Sequence, residues 1–317
     1  MVGQVLGHYR IDAKIGEGGF AVVYRGRDLL LERTVALKIL KTNFTQDDLT
    51  WAQLLREARI ASALNHSNVC TLYDIGEDQD IHYLVSEFVE GKTLRAMLQS
   101  GPLPTYDVFR YGIQIAEAMA YIQGAGILHR DIGSRNIMVT PAGQIKMLDF
   151  GLAKFMQEQN AGQDRVSPSP EQDTGGWRVG ALPYVAPELL HGDAATTQAS
   201  TWSLGVVIFE MLTGELPFAG RTPFELAMEI MTGKPKSLPA HIPGGLRTIV
   251  HRCLTPDKEF RYSSAIEVFN NLQSERIAYE IRGILAGRPA SLHLGYWFQR
   301  LGNAFTWLTS MLFGPRS

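Results

Sequence analysis

His129-Arg130-Asp131-Ile132-Gly133-Ser134-Arg135-Asn136 is the stretch that decides the fold of this chain. It sets a carboxylate, Asp131, five positions ahead of a carboxamide, Asn136, on a short loop that runs into the apolar strand pattern Ile137-Met138-Val139. Asp131 can accept a proton while Asn136 holds a cation. A second short apolar run, Ile145-Lys146-Met147-Leu148, leads to Asp149-Phe150-Gly151, whose carboxylate can supply charge to the same cation. An acid, a neutral ligand and a second acid on two neighbouring loops make a centre to which two substrates can be delivered.

Upstream, the text alternates as strand, turn and strand: Tyr9-Arg10-Ile11, then Gly16-Glu17-Gly18-Gly19-Phe20-Ala21-Val22-Val23-Tyr24, then Val35-Ala36-Leu37-Lys38-Ile39-Leu40. Glycines at 16, 18 and 19 remove side chains and permit unusual dihedrals, so the backbone there can approach a phosphate closely. A dinucleotide-binding turn would pass from such glycines into a helix, whereas here β-branched residues follow and a strand is expected. Lys38 inside an apolar strand is either an edge lysine turned to solvent or a lysine with work to do. Apolar residues at 51, 54, 55, 58 and 61 predict a helix from Trp51 to Leu64 that carries Glu57. Ile81-His82-Tyr83-Leu84-Val85-Ser86 reads as a further strand, running into Glu87-Phe88-Val89-Glu90-Gly91.

Downstream of Asp149, residues 157–176 are polar and rich in Gly, Ser, Pro and Gln, a composition that buries too little to fix itself and predicts a mobile segment. It closes with Gly180-Ala181-Leu182-Pro183-Tyr184-Val185-Ala186-Pro187-Glu188. Buried helices are expected over Tyr106–Gln123 and over Trp202–Leu212, the latter apolar on nearly every face.

Taken together these motifs resemble the protein kinase superfamily over roughly residues 9–273, closest in texture to the bacterial eukaryotic-like serine/threonine kinases. The resemblance implies an α+β fold of two lobes, a small antiparallel β lobe with one main helix and a larger, mainly helical lobe. A lead-in of residues 1–8 would precede a small lobe of about 9–86, a hinge at 87–91 and a large lobe of about 92–273, with 274–317 as an extension.

It also implies ATP, with Mg²⁺ or Mn²⁺, and a protein substrate. Ile15, Gly16, Glu17, Gly18, Gly19, Val23 and Ala36 would then surround the nucleotide. Lys38 would hold phosphates and Glu57 would hold Lys38. Ser86 would be the gatekeeper, with main-chain groups of Glu87 and Val89 on the adenine edge. Asn136 and Asp149 would hold metal, and Asp131 would orient and deprotonate the acceptor. Glu188 would form a structural ion pair with Arg261. Arg130 is expected to be a buried cation that a phosphate on Thr174, Ser167 or Ser169 would neutralise.

Four positions depart from the family pattern. The third glycine of the phosphate loop is Ala21, the lysine two places after the catalytic aspartate is Gly133, the threonine that touches it is Ala181, and the aspartate opening the central helix is Ser200. Arg135 is spaced to compensate, as in tyrosine kinases. The expected activity is therefore transfer of the γ-phosphoryl group of ATP to serine or threonine, since Leu182-Pro183-Tyr184 resembles that subgroup's substrate platform. A tyrosine or dual-specificity kinase is one alternative. A pseudokinase acting as a nucleotide-binding scaffold is another.

Bulk properties set the remaining bounds. A net charge of −2 lacks the basic excess of nucleic-acid binders, and no such partner is expected. Two cysteines in apolar contexts, Cys70 and Cys253, read as buried thiols of a cytoplasmic protein rather than a disulfide or metal framework. No apolar run reaches the roughly 18 residues of a membrane-spanning helix. Beyond Ser274, apolar residues from Leu294 to Leu312 recur at helical spacing. This stretch reads as a helix packed on the large lobe, an interfacial membrane anchor or a partner-binding helix, and the segment 294–313 keeps all three readings. The sequence carries no signal of oligomeric state.

Overall fold

The structure is a computed structural model that describes residues 1–18, 21–41, 48–148 and 180–285, without the side chains at 48–50, 52, 53, 57 and 60. It divides into two units, residues 1–272 and 273–317.

The first unit opens with β1 (Val5–Leu6), β2 (Tyr9–Glu17), β3 (Ala21–Asp28) and β4 (Arg33–Leu40), followed by α1 (Asp48–Ser62), β5 (Leu72–Asp78) and β6 (Ile81–Glu87). The strands form one antiparallel sheet in the order β1-β2-β3-β4-β6-β5. The glycines of the stretch Gly16–Tyr24 divide two strands, as its turn reading expects: Gly16 and Glu17 end β2, and Ala21 begins β3. The Gly18 amide donates to the Ala21 carbonyl at 2.8 Å.

Period-two alternation explains how β4 divides its side chains. Val35, Leu37 and Ile39 are buried and join Tyr9, Ile11 and Val85 in a core on one face of the sheet. Ala36 and Lys38 therefore turn to the other face. Because β4 lies between β3 and β6, Lys38 is on an inner strand, opposite Val23 and Leu84, and the edge-lysine alternative does not hold. On α1, Leu54 and Ala58 pack with Ala21, Leu40 and Leu84, which seats the helix on the sheet.

The larger part of the unit contains β7 (Lys92–Thr93), α2 (Leu94–Leu98), α3 (Thr105–Gly124), a 3₁₀ turn at Ser134–Asn136, β8 (Ile137–Val139) and β9 (Ile145–Met147). β7, β8 and β9 form a three-stranded sheet that delivers the stretch 129–136 to the cleft. Further on come α4 (Pro187–Leu190), α5 (Thr197–Thr213), α6 (Pro223–Thr232), α7 (Gly244–Cys253) and the start of α8 (Ala265–Leu285). α5 is the axis of this part, with an unbroken buried run from Leu204 to Leu212. Thr196 caps it by accepting from the Ala199 amide, and Gly214 ends it in a left-handed conformation at φ +74°. Ala265, Val268 and Leu272 of α8 are buried in the first unit.

In the second unit, residues 273–285 continue the helix, with Arg276–Glu280 and Arg282–Glu275 ion pairs at 3.4 and 3.6 Å. The expected helix through residues 294–312 lies outside the described residues.

Candidate active site

A cleft of about 190 Å³ opens between the sheet and β8–β9. Ile15, Val23 and Ala36 line it from the strands, together with Lys38, and Ser86, Glu87 and Val89 line it along the chain crossing toward β7. The structure thus gathers these residues from four separate stretches of sequence into one space. The cleft continues past Ser86 to Ala61, Leu72 and Leu84, so the small serine leaves room behind it. Gly16, Glu17 and Gly18 form the end of β2 and its turn, while Gly19 lies outside the described residues. Glu17 is held by Lys14 and Lys41 at 2.6 and 2.9 Å, and these two cations pull its pKa down to about 2.

Sequence reasoning missed Met138 and Leu148, which line the cleft from the side opposite the glycine turn, and Cys70. Met138 had a signal, being the middle residue of a strand whose neighbours Ile137 and Val139 are buried on the other face. It also missed Lys146. This lysine reaches from β9 to the Glu87 carboxylate at 2.8 Å, and Glu87 also accepts from the Thr71 amide at 3.3 Å.

The catalytic loop is held by its own backbone. The Asp131 amide donates to the His129 carbonyl at 2.9 Å, closing a three-residue turn across Arg130, whose φ is +62°. A left-handed non-glycine residue stores strain, and the turn it makes aims Asp131. His129 is buried, and its Nε2 donates to the Leu148 carbonyl at 2.9 Å, tying this loop to the residue before Asp149. Arg130 is exposed, which corrects the expectation of a buried cation. The turn sends the two side chains in different directions, and the imidazole takes the inward place.

Asn136 donates through Nδ2 to the Asp131 carbonyl at 2.8 Å, which leaves its carbonyl oxygen as the ligand atom. A neutral oxygen held in this way fits a hard divalent cation. Arg135 donates to Asp131 Oδ1 at 2.8 Å, so the cation proposed to compensate for Gly133 sits directly on the catalytic carboxylate.

Glu57 occupies α1, three residues after Leu54 and four before Ala61. Its side chain, Asp149, and the segment with Ser167, Ser169 and Thr174 lie outside the described residues. Among the described residues no cluster of His, Cys, Asp and Glu forms a metal site.

Beyond the loop, Leu182–Tyr184 forms a 3₁₀ turn against α5. Glu188 and Arg261 make the expected pair, bidentate at 2.7 and 2.8 Å. The remaining guanidinium hydrogens go to the carbonyls of Thr255, Pro256 and Gln198, so this buried cation is fully bonded. Ser200 lies in the first turn of α5. Among the described residues its hydroxyl makes no hydrogen bond to the catalytic loop, and a small cavity lies between it and Arg130. Bracing comes instead from Glu210, in the last part of α5, which accepts from Ser134 and Tyr184. Sequence reasoning passed over Glu210, although a carboxylate inside a fully apolar helix is itself a signal.

A small antiparallel lobe, a helical lobe, and a cleft whose wall residue Leu148 is bonded to the loop bearing Asp131 and Asn136 define a protein kinase. The description of the protein kinase domain matches residues 9–272, and the chain belongs to that family. It is 35% identical over 284 residues to a Clostridium acetobutylicum protein named as a probable serine/threonine-protein kinase, covering 88% of this chain and 42% of the relative. It is 34% identical over 266 residues to serine/threonine-protein kinase PrkC of Bacillus subtilis, covering 83% and 39%. With serine/threonine-protein kinase PknA of Mycobacterium tuberculosis it shares 34% identity over 264 residues, covering 81% and 59%. The chain spans about two-fifths of the length of the first two relatives. Among the described residues no helix is long and apolar enough to cross a membrane.

Proposed function

We propose that this chain transfers the γ-phosphoryl group of ATP to serine or threonine hydroxyls of protein substrates. The observation that carries the proposal is that Leu148, which lines the cleft together with Lys38, Ser86, Glu87 and Val89, is bonded on both sides to the loop that holds Asp131 and Asn136, its amide to the Asn136 main-chain carbonyl at 2.8 Å and its carbonyl to His129 Nε2 at 2.9 Å. Adenine would lie between Ile15, Val23 and Ala36 on one side and Met138 and Leu148 on the other. Lys38 holds phosphate oxygens, with Glu57 of α1 as its partner. The Asn136 carbonyl oxygen and Asp149 would hold Mg²⁺, with Mn²⁺ as a substitute, and the ion would supply positive charge against the charge that develops during transfer. Asp131 accepts the proton of the acceptor hydroxyl while Arg135 keeps its carboxylate oriented. The exposed Arg130 is available to a phosphate on Thr174, Ser167 or Ser169, the proposed regulatory sites. We place this activity in the cytoplasm, on the ground that both cysteines, Cys70 and Cys253, are buried in apolar surroundings.

One observation favours a second reading, a nucleotide-binding scaffold without turnover: Ser200 leaves a cavity where a carboxylate would brace the loop. Incubation of the purified chain with labelled ATP and Mg²⁺, followed by mass spectrometry of the products, tests both. Phosphoserine or phosphothreonine supports the kinase, phosphotyrosine changes the acceptor class, and bound ATP without transfer supports the scaffold.

A further inference from the structure

Three buried polar groups beneath the catalytic loop have no part in the chemistry above. Ser134, wholly buried, places its Oγ 2.9 Å from the Tyr184 hydroxyl and 3.1 Å from Glu210 Oε1. Tyr184 donates to Glu210 Oε2 at 2.7 Å. The three side chains come from the catalytic loop, the substrate platform and α5, so the triangle joins three segments that are remote in sequence. Ser203 of α5 adds a fourth tie by donating to the Tyr184 carbonyl at 2.7 Å.

The two hydroxyls bring two hydrogens, which Ser134 gives to Oε1 and Tyr184 to Oε2 of Glu210. Burial raises the pKa of Glu210, while the hydroxyl bonds and the charge of Arg95 act to lower it, and Glu215 and Lys236 line the groove on the same side. Each buried side-chain oxygen of the triangle thus has a polar partner.

Gly133 completes the arrangement. Its backbone is extended at φ −171°, so no conformational demand explains a glycine there. A Cβ at that position would stand 3.1 Å from the Tyr184 ring. Without one, the ring lies against the loop and its hydroxyl reaches Ser134. A lysine at 133 and a threonine at 181 would link loop to platform in the family pattern, and this chain has neither.

We infer that Ser134 is a positioning residue, which fixes the loop bearing Asp131 against the Leu182–Tyr184 platform through Tyr184 and Glu210 in place of the lysine–threonine contact. In its catalytic consequence the inference rests on the kinase activity proposed above. In its structural consequence it does not.

The test compares the wild-type full chain with Ser134→Ala, Tyr184→Phe and the double variant, using ATP with Mg²⁺ and dephosphorylated casein as the probe. Each single change is expected to lower kcat about tenfold, the scale of losing a partner in a buried hydrogen-bonded group, with KM for ATP unchanged. The double variant is expected to be no slower than the slower single, because both changes break one unit. Backbone amides of residues 131–136 should exchange with solvent faster in Ser134→Ala, with or without ATP. Wild-type kcat and exchange in Ser134→Ala, or single effects that multiply in the double variant, overturn the inference. Tyr184→Phe retains the ring against Gly133, so it decides the matter if Ser134→Ala does not fold. If wild type transfers no phosphate, the kinase proposal fails, and hydrogen exchange alone decides the role of Ser134.

Discussion

On the nucleotide side of the cleft, Val23, Ala36, Lys38 and Ser86 come from neighbouring antiparallel strands, where a period of two aims alternate residues at the same space. On the substrate side, Asp131, Ser134 and Arg135 come from one loop whose shape depends on partners 50 and 76 residues away. The first arrangement is regular and redundant, since each strand is held by a ladder of backbone bonds. The second is held by a few individual side-chain bonds. Changes on the nucleotide side should therefore alter what binds, and changes on the substrate side should alter how fast phosphate moves.

The strongest way to break this division is Asp131→Asn. It removes the proton acceptor and should lower kcat by about 10²–10⁴-fold with ATP affinity unchanged, measured by steady-state kinetics and nucleotide titration. Turnover within a few-fold of wild type would show that Asp131 does not take the proton. Arg135→Ala comes next. It frees the carboxylate from its guanidinium and should cost about 10–10³-fold in kcat, again without weakening ATP, and a wild-type rate would remove Arg135 from the mechanism.

The nucleotide side should respond in the opposite sense. Ser86→Met fills the space leading to Ala61, Leu72 and Leu84, and should weaken adenine-like inhibitors with bulky substituents by about 1–3 kcal/mol while kcat stays put. Equal inhibition constants for the two proteins would show that these ligands do not use that space. The smallest effect belongs to Lys146→Met. The Lys146–Glu87 pair joins β9 to the crossing chain with side chains only 13% and 25% exposed, so its loss should cost about 1 kcal/mol in urea denaturation. An unchanged midpoint would mark the pair as an ornament of the surface.

What the sequence disclosed follows the same division. The placement of Lys38 follows from alternation along β4, and the seat of α1 from apolar spacing at Leu54, Ala58 and Ala61, because both are local periodicities. The turn between β2 and β3 was legible in its glycines, and the strand after it in the β-branched pair Val22-Val23, because both are local signals. Arg130 was expected to be buried from its place beside Asp131, yet its outward course depends on one left-handed dihedral that composition does not encode. The Ser134–Tyr184–Glu210 triangle was hidden for a different reason. Ser134 and Tyr184 look ordinary in their own segments, Glu210 stands out only as a carboxylate in an apolar helix, and only the packing of α5 under the loop gives the three a common purpose.

Cys70 shows a last consequence of the cleft's construction. The chain has two cysteines. Cys70 forms part of the cleft wall, with its thiol 3.5 Å from the Glu87 carbonyl. Cys253 is sealed in the helical lobe, where burial pushes its pKa up to about 12 and leaves it inert to alkylation. If the cleft takes ATP as proposed, a reagent small enough to enter it would reach Cys70 and not Cys253. The rate of Cys70 labelling would then be a footprint of occupancy, slowed for as long as nucleotide stays, with the second thiol as an internal blank.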